Sequence, residues 1–308
     1  MALTFTRATR AQVKLKLGIQ GPSGSGKTEG ALALATHLAA DAGGRVAVID
    51  TENGSASLYA DRYEFDVLEL RPPYESARYL EAIRTAAEAG YAVVVVDSLS
   101  HQWAGEGGIL ARKEAKDVRG GNQWTNWAPF TKEHEEFKAG LLNAPLHVIA
   151  TLRTKAEYVV EKNAKGKDAP RKVGTVPIQR EGLEYEFSLM WELQMDHRAA
   201  ASKDRTGLYD GRLVDLRDVA TARELISWLG SGTPLAPVPT APAPTGAASA
   251  EVESLTAELL TAMDALPEDE REQMATWLAK RARSVDDIQK AIATVQKAIE
   301  NHAATAAA

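Results

Sequence analysis

Residues 21–28 read GPSGSGKT and satisfy the pattern GxxxxGK[ST]. Glycines let the backbone curl so that consecutive N–H groups face an anion, and a helix that begins there adds its partial positive charge. Lys27 is then placed to reach the β- and γ-phosphates of a nucleotide, and the Thr28 hydroxyl to ligate Mg²⁺. The pattern therefore predicts a phosphate site formed by Gly21, Pro22, Ser23, Gly24, Ser25, Gly26, Lys27 and Thr28.

Three further predicted strands end in residues that suit nucleotide chemistry. Asp97 ends the run AVVVVD, and ligands of open α/β sheets bind at the carboxyl ends of the strands, so Asp97 is predicted to hold Mg²⁺. Glu52 follows the strand VAVID and is the predicted polariser of the attacking water, whereas Asp50 is expected to be structural. Thr151 and Arg153 leave the strand LHVIAT and are predicted to sense the γ-phosphate.

The body of the chain alternates strand and helix signals. Strands are predicted over 13–19, 46–50, 67–70, 91–97 and 146–151, and helices over 27–41, 75–89 and 128–142. Such alternation predicts an α/β fold with a mostly parallel sheet that is covered by helices on both faces. After residue 155 the pattern changes to a charged β-hairpin, which is followed by a strand over 185–193.

The segment 230–250 is rich in Pro, Ala and small polar residues, so it cannot build a core and is predicted to be an extended linker. It separates a body over 1–229 from a C-terminal module over 251–308. The net charge of −6 is concentrated in the module, which leaves room for a basic surface on the body. The module is predicted to be a small helical bundle, because one helical stripe contains Ile288, Ile292, Val295 and Ile299.

The composition is typical of a globular protein of the cell interior, with 44% hydrophobic and 25% charged residues. The chain has no cysteine, so it has neither disulfides nor cysteine metal ligands. The strongly apolar stretch over 92–96 is far too short to span a bilayer, and the N-terminus lacks the apolar core of a signal peptide. We therefore expect a cytoplasmic protein without a membrane partner.

Six blocks of sequence occur in a characteristic order, namely GPSGSGKT, VIDTENGSASLYAD, VVVVDSLSHQW, HVIATLRTKAEYV, VGTVPIQREGLEYEF and SKDRTG. Together they resemble the RecA/DnaB branch of P-loop ATPases, and in particular the phage-encoded RecA-like ATPases linked to single-strand annealing. The resemblance covers residues 13–215 and not the C-terminal module. It implies a RecA-like core with a β-hairpin insertion and a homo-oligomer, either ring or filament, that binds ATP between its subunits.

The resemblance also assigns roles to residues far from the phosphate site. Glu52 matches the placement of the catalytic glutamate in RecA-like motors. The polar turn ASKDRTG contains Lys203, Arg205 and Gly207, which match a KxRxG element that reaches from one subunit into the ATP of its neighbour. Cations that arrive only when subunits stack would couple assembly to the nucleotide state, because the transferred phosphate and its transition state are strongly negative.

Two segments are candidates for contact with single-stranded DNA. The segment 118–127 is polar and glycine-rich with two tryptophans, of which Trp127 is expected to pack under the next helix. The hairpin over 153–180 is basic, and cations there would neutralise phosphates while an aromatic side chain stacks on a base. The candidate DNA contacts are Trp124, Lys162, Lys165, Lys167, Arg171 and Lys172.

The leading hypothesis is an ATP-dependent single-stranded DNA-binding protein that promotes strand annealing or homologous recombination. ATP is favoured because the sequence has no guanine-reading NKxD motif. The alternatives are a replicative helicase or helicase loader, a P-loop small-molecule kinase, and a nucleotide-switched scaffold that barely hydrolyses ATP. The C-terminal module is a candidate contact for a single-strand binding protein.

Overall fold

The computed structural model describes residues 9–10, 12–162, 168–233, 255, 258–259, 261–263, 266–267, 271 and 285–306. The chain divides into two compact units, Met1–Leu235 and Ala236–Ala308. Residues 234–250, most of the predicted linker, lie outside the described part, so the exact division into body, linker and module stays a prediction.

The first unit is built from alternating strands and helices. Its strands are β1 Lys16–Gly21, β2 Val46–Asp50, β3 Asp66–Glu69, β4 Val93–Asp97, β5 His147–Lys162, β6 Asp168–Pro177, β7 Leu189–Leu193, β8 Arg198–Asp204 and β9 Leu213–Asp215. Its helices are α1 Lys27–Asp41, α2 Ser76–Glu88, α3 Ser100–Ala104, α4 Ile109–Val118, α5 Ala128–Asn143 and α6 Val219–Gly230.

The strands form one sheet in the order β3-β2-β4-β5-β1-β7-β8-β9, and β6 pairs with β5. Pairing is parallel from β3 to β7, whereas β8 and β9 continue the sheet in antiparallel fashion. Beyond the sheet, β5 runs on as one arm of an antiparallel hairpin with β6. The predicted fold class, a RecA-like α/β core with a mostly parallel sheet, flanking helices and a hairpin insertion, is confirmed.

Valines of β4 explain why this sheet is buried on both faces. Residues 93–96 are fully buried, and successive side chains of a strand point to opposite faces. Val93 and Val95 pack in the core that contains side chains of α1 and α6, whereas Val94 and Val96 pack in the core with α2 and α5. Each buried valine contributes about 1.5–3 kcal/mol, so this short strand anchors helices on both sides.

Several elements differ from the sequence prediction. The strand predicted over 185–193 begins only at Leu189, because Leu183–Tyr185 forms a 3₁₀ turn. Lys203 was predicted to lie in a polar turn, but it lies in β8, and the turn begins after the last residue of β8, Asp204. The strand was missed because its residues 199–201 are alanines, which give no alternation of apolar and polar side chains. The helices α3, α4 and α6 were not predicted either.

The second unit contains the helix α7, Val285–Ala306. Ile292 and Val295 of the predicted stripe are buried in a cluster with Leu259, Met263 and Leu266, and Ile299 packs against this cluster. These three positions of the stripe therefore belong to a core, whereas the side chain of Ile288 lies outside the described part. Of the helices in the described residues, none combines the length and apolarity needed to cross a bilayer.

We predict that acid destabilises the fold through buried histidines. Burial lowers the pKa of His147 to about 4 and that of His134 to about 4, and the Leu15 N–H donates to Nδ1 of His147 at 3.0 Å. The unfolded chain protonates these rings near pH 6.5 and the folded chain does not, so the free energy of unfolding falls as pH drops from 6.5 toward 4, by at most about 1.4 kcal/mol per pH unit for each ring.

The measurement is urea unfolding at a series of pH values, with His147→Asn as the comparison. Asparagine keeps an acceptor for the Leu15 N–H but does not titrate, so the variant should lose less stability over this range. Equal pH dependence in both proteins would contradict the prediction.

Candidate functional site

The phosphate loop joins β1 to α1 and has the conformation that its glycines allow. Gly24 and Gly26 have φ values of 81° and 89°, in the left-handed region. Lys27 begins α1, and its Nζ donates to the Pro22 carbonyl oxygen at 2.8 Å. The Ser25 hydroxyl is fully buried and has no hydrogen-bond partner within the described residues.

Asp97 lies at the centre of the predicted Mg²⁺ site. The Thr28 hydroxyl donates to its Oδ2 at 2.7 Å, and the Thr151 hydroxyl donates to its Oδ1 at 2.5 Å. Burial raises the pKa of Asp97, and these two hydrogen bonds offset the effect in part. A hydroxyl and a carboxylate oxygen in contact are hard ligands of the kind that Mg²⁺ prefers, so the residues fit this ion.

Thr151 was predicted to sense the γ-phosphate, and the structure corrects this. Its side chain is fully buried and its hydroxyl is bound to Asp97. The reason is the strand order: β5 lies beside β4, so Thr151 at the end of the shared sheet faces the Asp97 carboxylate rather than the cavity. Thr151 orients the predicted metal ligand.

Glu52 and Arg153, 101 residues apart, form a bidentate ion pair. The Arg153 Nε donates to Oε1 of Glu52 at 2.7 Å, and a guanidinium NH₂ group donates to Oε2. Burial raises the pKa of Glu52, but the hydrogen bonds and charge of Arg153 outweigh it, so the pKa of Glu52 lies below its ordinary value. The predicted catalytic Glu52 and the predicted γ-phosphate sensor Arg153 are thus brought together, in a pairing that the sequence did not reveal.

Residues around this ion pair support the end of β2. Asp50 accepts the N–H groups of Glu52 at 2.6 Å and Ala56 at 2.9 Å, which is a structural role. His101 Nδ1 lies 2.7 Å from the Thr51 hydroxyl, and its ring stacks on Tyr74 with centroids 5.0 Å apart. His101 therefore braces the residue next to Glu52.

A cavity of about 560 Å³ connects these groups. The predicted residues that line it are Ser23, Gly24, Gly26, Lys27, Thr28, Glu52, Asp97 and Arg153, whereas Gly21, Pro22, Ser25 and Thr151 lie outside its wall. Its volume is typical of small-molecule sites. Sequence reasoning missed six further lining residues. Two of them lie close to predicted residues in sequence, Glu29 directly after Thr28 and Ser55 three residues after Glu52. The other four are Tyr59, Thr154, Ile178 and His197. Tyr59 lies in the block VIDTENGSASLYAD and could have been found there; the other three come from the hairpin base and the β7–β8 turn.

Lys203 and Arg205 lie together but away from this cavity. Both donate to the Tyr185 carbonyl oxygen, Arg205 at 3.0 Å. Asp204 fixes the turn that follows, because its carboxylate accepts the N–H groups of Thr206 at 2.6 Å and of Gly207 at 3.1 Å. Burial and the neighbouring Arg205 charge lower the pKa of Lys203, and the charges of Glu186 and Glu184 offset this only in part.

The sheet register shows how far this pair is from the chain's own phosphate loop. Asp204 pairs with Leu189, the first residue of β7, at the amino-terminal edge of the parallel strands. His197, at the other end of β8, lies at the phosphate loop. Six residues of extended strand separate His197 from Lys203, which is about 20 Å. The structure therefore does not bring Lys203 and Arg205 to the cavity of the same chain.

Of the candidate DNA contacts, Trp124 is the one whose side chain is described. It is 87% exposed, at the tip of a loop that hydrogen bonds hold in place: the Asn126 amide donates to Asp117 at 2.9 Å and to the Gly120 carbonyl at 3.2 Å. Trp127 was expected to pack under the next helix; its ring stacks on Trp103 of the earlier helix α3, with centroids 5.9 Å apart. Outside the described residues or side chains lie Lys162, Lys165, Lys167, Arg171 and Lys172.

Comparison with known proteins gives three findings. A family model described as an AAA domain matches residues 13–215. No curated protein is significantly similar to the chain. Among solved structures, the chain is similar to the KaiC-like protein of the hyperthermophilic archaeon Pyrococcus horikoshii OT3, with 15% identity over 64% of this chain and 79% of that chain and a TM-score of 0.36.

The strand–loop–helix phosphate site and the acidic strand ends define a P-loop ATPase. The chain belongs to the AAA domain family, because the family model spans more than half of its length.

We predict that Arg153→Met raises the pKa of Glu52, because burial then acts without the opposing hydrogen bonds and charge. The measurement is a carboxyl NMR titration of the ligand-free protein. The control is Arg62→Met, which breaks a different ion pair, with Glu29 on α1. A Glu52 carboxyl that titrates at the same pH in the wild type and in Arg153→Met would contradict the ion pair.

Proposed function

We propose that this chain is an ATPase that hydrolyses ATP with Mg²⁺ between the subunits of a homo-oligomer and couples hydrolysis to the binding of single-stranded DNA. The observation that carries the proposal is the convergence of the Lys27 amine, the Thr28–Asp97 contact and the Glu52–Arg153 pair on one cavity. The resemblance to phage-encoded annealing ATPases supplies the biological process, strand annealing or homologous recombination.

The proposed chemistry assigns one task to each group. The phosphate loop and Lys27 hold the phosphates. Thr28 and Asp97 would hold Mg²⁺, which would supply positive charge against the β- and γ-phosphates. Water attacks the γ-phosphorus, the bond to the bridging oxygen breaks, and Glu52 accepts the proton of the water. The products are ADP and phosphate.

Arg153 exchanges partners in this scheme. The pair with Glu52 is partly exposed, with 46% of the Arg153 side chain and 21% of the Glu52 side chain accessible, and exposed ion pairs are worth only about 0–1 kcal/mol. A γ-phosphate carries more charge than a carboxylate and also accepts two hydrogen bonds from a guanidinium. Arg153 therefore moves to the γ-phosphate, and Glu52 is free to act on the water.

The positions of Lys203 and Arg205 support hydrolysis between subunits. They lie at the edge of the sheet opposite the phosphate loop, so a copy stacked head to tail would present them to the cavity of the next copy. Such heterologous contacts generate a ring where the rotation closes and a filament where it does not. The two short backbone contacts to Tyr185 would then be replaced by contacts with phosphate oxygens.

We predict that Arg205→Ala lowers the ATPase rate at least a hundredfold while ATP binding stays largely intact, because the cation acts on the transition state of the neighbouring site. The matched control is Arg198→Ala at the other end of β8, which loses only an exposed ion pair with Asp196. Rates are measured by phosphate release and binding by calorimetry.

Mixing two inactive proteins makes the test specific for action between subunits. Arg205→Ala and Glu52→Gln should partly restore activity when mixed, because some interfaces then combine an intact Glu52 with an intact Arg205. Mixtures that stay as inactive as the separate variants would count against the shared site.

The proposed DNA contact centres on Trp124. An indole that is 87% exposed on a hydrogen-bonded loop is preorganised for stacking. The hairpin also contacts the nucleotide site, because Thr154 of β5 and Ile178, just after β6, line the cavity. DNA bound along the hairpin could thus influence the position of Arg153, the neighbour of Thr154.

We predict that single-stranded DNA stimulates the ATPase, and that the stimulation is weaker at 0.2 M than at 0.05 M salt. We also predict that Trp124→Leu loses about 5- to 100-fold in DNA affinity. Trp124→Phe, which keeps an aromatic face, is the matched control. DNA affinity is measured by fluorescence anisotropy. A rate indifferent to DNA but raised by a small-molecule acceptor would indicate a kinase instead, and unwinding of a forked duplex would indicate a helicase.

A further inference from the structure

The turn over 194–197 places one histidine in an unusual conformation. His197 has a φ of 65°, in the left-handed region that residues with a Cβ rarely occupy. The turn is closed by two backbone hydrogen bonds, from His197 N–H to Gln194 at 3.0 Å and from Gln194 N–H to Arg198 at 2.9 Å. Backbone strain of this kind persists where surrounding contacts stabilise it, and it is common at ligand sites.

The contact that stabilises His197 is with the phosphate loop. Its Nδ1 lies 3.0 Å from the Ser25 carbonyl oxygen. A carbonyl oxygen only accepts hydrogen bonds, so Nδ1 carries the proton. A Cβ on Gly26 would lie 3.1 Å from this nitrogen, so Gly26 is needed both for the curl of the loop and for the close approach of the imidazole.

This hydrogen bond also determines the orientation of a peptide group. In a trans peptide the C=O and the following N–H point in opposite directions. When His197 binds the Ser25 oxygen, the Gly26 N–H must point away from the turn. A phosphate loop binds anions with its backbone N–H groups, so a peptide that rotates freely would weaken the cradle.

We propose that His197 is a positioning residue of the nucleotide site, which fixes the Ser25–Gly26 peptide so that the Gly26 N–H serves the phosphates. The proposal rests on nucleotide binding by the phosphate loop, as put forward above, but not on the oligomer or on DNA. It predicts an effect on ADP and ATP alike, because both nucleotides place phosphates in the loop. Arg153, in contrast, should distinguish ATP from ADP.

Two substitutions separate the hydrogen bond from the backbone conformation. Asparagine places an amide N–H where Nδ1 now lies and tolerates the left-handed region. Glycine tolerates that region but has no donor. His197→Gly should therefore lower the affinity for both ADP and a non-hydrolysable ATP analogue by about tenfold, the value of one lost hydrogen bond, and His197→Asn should retain the wild-type affinity.

Binding is measured by calorimetry on the full chain, and thermal unfolding checks that each variant folds. Gln194→Ala, an exposed position of the same turn, is the control and should bind like the wild type. The proposal is overturned by wild-type affinity in the glycine variant, or by an asparagine variant that folds yet binds as weakly as the glycine variant. A wild-type protein that binds neither nucleotide would refute the proposed function instead.

Discussion

The site depends on the order of three parallel strands, and an ion pair crosses the end of the middle one. In the sheet β4 lies between β2 and β5, and Glu52 and Arg153 follow these two flanking strands. The pair therefore spans the carboxyl end of β4, where Asp97 contacts Thr28. The parallel pairing of three strands puts the Glu52 carboxylate, the predicted metal ligand Asp97 and the Arg153 guanidinium side by side. A different strand order would separate them.

The phosphate loop, Glu52 and Asp97 could be predicted from sequence, because each is marked by a pattern of neighbouring residues. The phosphate loop is a contiguous pattern between a strand and a helix, and Glu52 and Asp97 each follow a strongly apolar strand. The contact of Arg153 with Glu52, and of Thr151 with Asp97, depends on which strands are neighbours. That order is set by packing of the whole sheet, which no segment of sequence encodes by itself.

Other parts were hidden because their sequence carries a weak signal. The strand β8 contains three consecutive alanines, so neither hydrophobic alternation nor strong β-propensity marks it. His197 is a single histidine in a short connection, and nothing adjacent in sequence relates it to Ser25, 172 residues earlier. The hairpin was recognised because its two arms flank a glycine-containing turn. The contribution of Ile178, just after the hairpin, to the cavity wall was not recognised.

The length of β8 determines how far Lys203 and Arg205 lie from the phosphate loop. One end is held at the phosphate loop by His197, and the other end presents Lys203 and Arg205. β8 is hydrogen-bonded to β7 with one irregularity at Ser202, and to β9 over Arg198–Ala200. Deleting one residue would shorten it by about 3.3 Å and turn every following side chain to the opposite face. Relatives of this protein should therefore tolerate insertions and deletions far less in β8 than in the loops of the same sheet, because a change in its length would move Lys203 and Arg205 relative to the phosphate loop.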